Sequence, residues 1–88
     1  MIEREARIVN QDGLHARPAA RIVRLANSFD SSIELAKDGL EVNGKSIMGV
    51  MMLAAECGSS ITIRADGPDA QQAVEALATL VASGFGEE

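Results

Sequence analysis

His15 is the one histidine of the chain and lies in Gly13-Leu14-His15-Ala16-Arg17-Pro18. A neutral imidazole is the side chain best suited to attack a phosphorus centre near neutral pH and release the group again. Pro18 belongs in the first turn of a helix, where its missing N–H is no loss, so the spacing puts His15 just before or at a helix N-terminus. First-turn N–H groups without intrahelical acceptors, together with the positive end of the helix dipole, make that position an anion site. Arg17 adds a guanidinium that can fork two phosphate oxygens, and Gly13 lets the chain turn tightly into the helix. A phosphoryl group on His15 would be held by the backbone N–H groups of Ala16 and Arg17 and by the Arg17 side chain, with no metal ion needed. A lone loop histidine with an unrelated capping role is the plain alternative. The glycine, arginine and proline at meaningful offsets favour the anion site.

Other residues of chemical interest cluster further along. Ser46 precedes an apolar stretch and is a suitable N-cap for a short helix over about 47–53, worth about 1 kcal/mol. Gly39-Leu-Glu-Val-Asn-Gly44-Lys45-Ser46 matches the P-loop pattern letter by letter. A phosphate-cradling loop must follow a buried parallel strand, however, and Leu40-Glu-Val42 itself alternates as a strand, so nucleotide binding is rejected there. Arg17, Arg21 and Arg24 recur at i, i+4 and i+7, one helix face. They form a basic stripe on an acidic chain, suited to acidic partners. Met48, Met51 and Met52, with Ile47, crowd a helix too short to bury all its sides. Ile47, Met48 and Met51 are therefore read as partner contacts, and Val50 and Leu53 as core. Cys57 is expected to pack as a small hydrophobe or to end a helix.

The elements that position these residues follow from periodicity. Residues 2–9 alternate, with Ile2, Ala6 and Ile8 on one side and Glu3, Glu5 and Arg7 on the other: a half-buried strand. Asn10-Gln-Asp-Gly13 is a turn. Ala19, Ile22, Val23, Ala26 and Phe29 follow a helical period that ends near Asn27-Ser28. Ile33 and Leu35 mark a second strand, Asp38-Gly39 a hairpin, and Leu40 and Val42 the apolar side of the returning strand. Ile61–Ala65 is a fourth strand. A final helix follows Gly67-Pro68-Asp69, with Ala70, Ala73, Val74, Leu77, Leu80 and Val81 inward and Gly84 as its stop; residues 86–88 read as a frayed tail. The order is βαββαβα. Strands with one apolar face, covered by amphipathic helices, give a two-layer α/β (α+β) open-faced sandwich over a single domain, residues 1–88.

Composition narrows the function classes. Lys+Arg 8 against Asp+Glu 13 gives a net charge of −5, which argues against general nucleic-acid binding. The two phenylalanines offer little for base stacking. One cysteine precludes an internal disulfide and, with one histidine, is too few soft ligands for structural zinc. No apolar run approaches the roughly 20 residues of a membrane span, and the charged N-terminus is no signal peptide. The expectation is an acidic, soluble, cytoplasmic domain with no cofactor.

Gly13-Leu-His-Ala-Arg-Pro-Ala-Ala20 resembles the active-site signature of the HPr family, the histidine-containing phosphocarrier proteins of the bacterial phosphoenolpyruvate-dependent sugar phosphotransferase system. Asn43-Gly-Lys-Ser46-Ile-Met-Gly-Val-Met-Met-Leu-Ala-Ala55 is similar to that family's regulatory serine segment, and the likeness spans the whole chain. The resemblance implies a four-stranded antiparallel sheet in the order 1-4-2-3 with three helices on one face. It implies that His15 takes a phosphoryl group on Nδ1 from Enzyme I and passes it to a histidine of an Enzyme IIA domain, with Arg17 assisting. It also implies that Ser46 is the target of an ATP-dependent HPr kinase/phosphorylase. Such a shuttle works as a monomer and as a cosubstrate rather than a stand-alone enzyme. Paralogues in a nitrogen-related regulatory branch share the histidine and are the nearest alternative. A small acylphosphatase-like enzyme is a remoter one, since it would need a second group to activate water.

Overall fold

A computed structural model describes residues 1–86. The frayed tail expected at the C-terminus lies, for Glu87 and Glu88, outside the described residues. Strand β1 (Ile2–Arg7) leads through the Asn10–Gly13 turn into helix α1 (Ala16–Ala26); β2 (Ser32–Lys37) and β3 (Leu40–Asn43) form a hairpin, followed by the short helix α2 (Ile47–Met52), β4 (Ser60–Asp66) and helix α3 (Ala70–Ala82). The sheet order is β1-β4-β2-β3 and every pairing is antiparallel, as the resemblance implies. Ile2 pairs with Ala65 and Arg7 with Ser60, while Leu35 pairs with Ile63 on one side and Val42 on the other.

This register stacks the apolar residues on one face. Ile33, Leu35, Ile61, Ile63 and Ala65 meet Ala19, Ile22 and Ala26 of α1, Val50 of α2, and Ala73, Val74, Leu77 and Val81 of α3 in one core. The opposite face is polar. Arg64, in the middle of it, donates from Nε to Glu3 at 2.5 Å and from Nη1 to Glu34 at 3.2 Å and Glu41 at 3.0 Å, linking all four strands. Those hydrogen bonds, Glu3's first, push the guanidinium's pKa further above its ordinary value.

Three expectations need correction. The first strand ends at Arg7 rather than residue 9, although Ile8 remains fully buried and its carbonyl still accepts the Gly58 N–H at 2.7 Å. Leu40 lies on the apolar side of β3 yet is exposed: it pairs with Lys37 at the hairpin tip, beyond the helices' cover. Asp38 and Gly39 there hold φ of 52° and 86°, the two-residue turn that requires positive φ at both places. Cys57 is an exposed loop thiol rather than a small core residue. The largest fully buried side chain is Phe85, held in a tight turn (Gly84–Gly86) after the helix stop.

A long-range clasp fixes the start of α3. The Asp69 carboxylate accepts the Ser31 hydroxyl at 2.6 Å and the Asp30 and Ser31 N–H groups at 2.9 Å each, and Ser31 is itself buried. These bonds, the Ser31 hydroxyl first, hold the Asp69 carboxyl below its ordinary 3.8. A carboxylate depressed in the folded state stabilises the fold above its unfolded pKa and ceases to as pH falls through the folded one. Asp69→Asn should therefore lower the urea midpoint near neutral pH, and the difference from wild type should shrink once pH drops well below 3.8. A constant difference across that range would show that the carboxylate's charge is irrelevant to the clasp.

Candidate functional site

His15 is the N-cap of α1, with an extended backbone (φ −83°, ψ −169°) and a carbonyl that accepts the Ala19 N–H at 3.0 Å. Its imidazole does not cap its own helix. The ring is partly exposed, and its Nε2 edge is shielded from solvent. The first-turn N–H groups of Ala16 and Arg17 have no intrahelical acceptor by the geometry of a helix start. Pro18 is buried at the third position, where no N–H is missed. No acidic residue occupies that turn to oppose an anion, and Arg17 is exposed on it.

The loop before the helix is built to hold this geometry. Asn10 is buried, and its Nδ2 donates to the Gly13 carbonyl at 2.8 Å, the same carbonyl that accepts the His15 N–H at 3.0 Å. The Leu14 N–H donates to the Ala55 carbonyl at 2.9 Å, tying the turn to the segment after α2. Gly13 holds φ +68°, and a Cβ there would lie 2.5 Å from the Ala55 oxygen, so no other residue fits without moving the turn. A shallow depression lined by Asp12, Leu14, His15, Ala54, Glu56 and Cys57 opens beside the ring. Asn10 is legible in the sequence only as part of the turn, and Ala54, which has φ +50°, is not singled out there. Nothing in the local pattern shows that Asn10 reaches the Gly13 carbonyl or that Ala54 takes a positive φ.

Helix α2 packs alongside α1 and runs back toward His15. Asn27 at the end of α1 donates to the Lys45 carbonyl before α2, and the segment after α2 reaches Leu14. Ser46 caps α2 as expected, its Oγ accepting the Gly49 N–H at 3.2 Å. Val50 and Leu53 are buried; Ile47, Met48 and Met51 are exposed, and Met52, which the sequence reading did not single out, is 64% exposed. The P-loop pattern falls on the β2–β3 hairpin, where a ladder takes the place of a phosphate cradle. The arginine stripe is broken: Arg17 and Arg24 are exposed, but Arg21 is partly buried and its Nη1 donates to the Phe85 carbonyl. Spacing on a helix specifies a face but not what a distant segment brings to it. Among the described residues no group of three or more His, Cys, Asp or Glu could hold a metal ion, and no helix is long and apolar enough to cross a membrane.

The fold is an open-faced sandwich with a histidine at a helix mouth, held from the loop before it and from the segment after α2. Comparison with known proteins gives its class. The family described as the PTS HPr component phosphorylation site matches residues 2–83. The chain is 49% identical to the phosphocarrier protein HPr of Cupriavidus necator over 99% of its own length and 98% of that relative. Its backbone is similar to the crystal structure of HPr-C-His from Thermoanaerobacter tengcongensis, with a TM-score of 0.96, 46% identity, and coverage of 100% of this chain and 99% of that one. A further structure, of an HPr dimer from the same organism, has a TM-score of 0.79 at 46% identity, covering 99% of this chain and 100% of that one. The chain belongs to the HPr family of phosphocarrier proteins.

Proposed function

We propose that His15 is the phosphoacceptor, charged by Enzyme I and discharged to a histidine of an Enzyme IIA domain in the cytoplasm. The carrying observation is the place of His15 as N-cap at the positive end of α1, with no acidic residue in the first turn. The Nδ1 lone pair of the neutral ring attacks phosphorus in line as the donor's P–N bond breaks; the donor phosphoimidazole, protonated on its other nitrogen, leaves as neutral imidazole, and the His15 ring keeps its Nε2 proton as a phosphoimidazolium. Nδ1 is the acceptor nitrogen that the family resemblance implies, and the shielded Nε2 edge agrees with that choice. Charge spread over the transferring oxygens is met by the Ala16 and Arg17 N–H groups and the Arg17 guanidinium, so the carrier contributes positioning and electrostatics alone.

Docking is assigned to the exposed Ile47, Met48 and Met51 of α2, together with the exposed Arg24 of α1. Arg21 acts from the edge of that surface through its hold on the C-terminal turn. Several partners used in turn call for fast exchange and one copy at a time, hence a monomer. Ser46, at the border of the same surface, suits phosphorylation by an ATP-dependent HPr kinase/phosphorylase. About −1.5 to −2 charge placed there would repel acidic partners. The test is phosphorylation of the purified chain by Enzyme I and phosphoenolpyruvate, followed by intact mass and time course. Arg17→Ala should slow charging roughly a hundredfold while leaving thermal unfolding near wild type. The reverse, normal transfer with lost stability, would make Arg17 structural. In a parallel arm, a kinase with ATP should label wild type and not Ser46→Ala; equal labelling of both would remove Ser46 from the scheme.

A further inference from the structure

Helix α2 exposes three thioethers within five residues: Met48 is 73% exposed, Met51 40% and Met52 64%. That surface is unbranched, sulfur-bearing side chain over about one and a half turns. The helix does not need it for anchorage, which comes from Val50 at 0% and Leu53 at 4% exposure together with the Ser46 cap. The three side chains are thus outside the core, reachable by small oxidants, and gathered on the apolar surface beside the site. Thioether sulfur is the side-chain atom, after the thiolate, most readily oxidised by peroxides.

We propose that Met48, Met51 and Met52 form a reversible oxidation site that sets the affinity of the α2 surface for its partners; it rests on the reading of α2 as a docking face. In the step itself, the methionine sulfur attacks one oxygen of a peroxide and the O–O bond breaks. The sulfur loses two electrons to become a sulfoxide, and the other peroxide oxygen leaves as water. A thiol-dependent sulfoxide reductase takes the oxygen back. The apolar, pliable methyl thioether becomes a polar sulfoxide that a partner must desolvate. Because none of the three is buried, the fold is unaffected: the switch acts on association alone. Met1, 79% exposed at the start of the chain, is oxidised as easily and serves as an internal control.

Hydrogen peroxide treatment of a Cys57→Ser background, which removes the exposed thiol as a competing target, tests this directly. Peptide mass mapping should place about 16 Da on each of Met48, Met51 and Met52 with Met1 alongside, and thermal unfolding should stay unchanged. At limiting Enzyme I, oxidation should slow phosphorylation by about tenfold, and reductase treatment should restore the rate. A Met48→Leu, Met51→Leu, Met52→Leu variant, oxidised only at Met1, should show the same rate before and after peroxide, whatever that rate is. Oxidised protein that charges as fast as its untreated parent overturns the proposal, as does a slowing that accompanies a fall in Tm or persists in the leucine variant. Failure of the untreated protein to accept phosphate at all would instead refute the phosphoacceptor reading.

Discussion

His15→Ala should fold like wild type and accept no phosphate from Enzyme I, where wild type gains about 80 Da, the mass of one HPO₃ group. The two halves of that expectation have separate physical grounds. Folding is spared because the backbone bonds that start the helix survive: the His15 N–H on the Gly13 carbonyl and the His15 carbonyl receiving the Ala19 N–H, both of which alanine keeps. The ring makes no cap hydrogen bond that alanine would lose, so the usual penalty for removing a polar N-cap does not apply. Transfer is abolished because the residues around position 15 on the helix start, Leu14, Ala16 and Pro18, offer no side chain that could replace the imidazole as nucleophile. The wild-type phosphate should be lost in acid and kept in base, as a P–N bond requires and a phosphoserine does not. A stable phosphate on Ser46 or elsewhere under Enzyme I, or equal labelling of His15→Ala, would overturn the assignment.

The helix mouth was legible because its determinants are local. Pro18 fixes the helix start to within a residue, Gly13 fixes the turn, and the period of Ala19, Ile22 and Ala26 fixes which side faces inward; all three are buried as that period requires. The same holds for Asp38-Gly39 and for Ser46, whose roles depend on neighbours a few positions away. What escaped the sequence is long-range. The partner of Arg21 is 64 positions distant and that of Asp69 lies 38 away, and no periodicity relates such pairs. Leu40 has the right parity for the core but stands past the end of the covering helices. Asn10, Ala54 and Cys57 belong to loops, where side-chain direction follows from the path of the chain rather than from a repeat.

Phe85→Ala is expected to be the most damaging of the single substitutions considered, although the residue lies just past the helix stop at Gly84. The ring is fully buried and is the largest such side chain, and nothing else can fill its place, since the turn that presents it is only Gly84–Gly86. Truncation should cost about 3–5 kcal/mol, against a total of about 5–15 kcal/mol for a domain of this size. The fall in Tm should be at least roughly 12 °C. Phe85 also holds φ +61°, a region costly for any residue with a Cβ. Burial of the ring outweighs that strain by several-fold. Phe85→Gly should therefore recover about 1 kcal/mol relative to alanine while remaining far below wild type. If glycine restored full stability, backbone strain and not the ring would govern the site. A functional echo should accompany the loss: with the turn detached, the Phe85 carbonyl no longer receives the Arg21 guanidinium. Charging by Enzyme I should then gain salt sensitivity as Arg21 joins Arg17 and Arg24 in solvent. A Phe85→Ala protein with wild-type Tm and unchanged salt response would show that the C-terminal turn is incidental to both core and carrier surface.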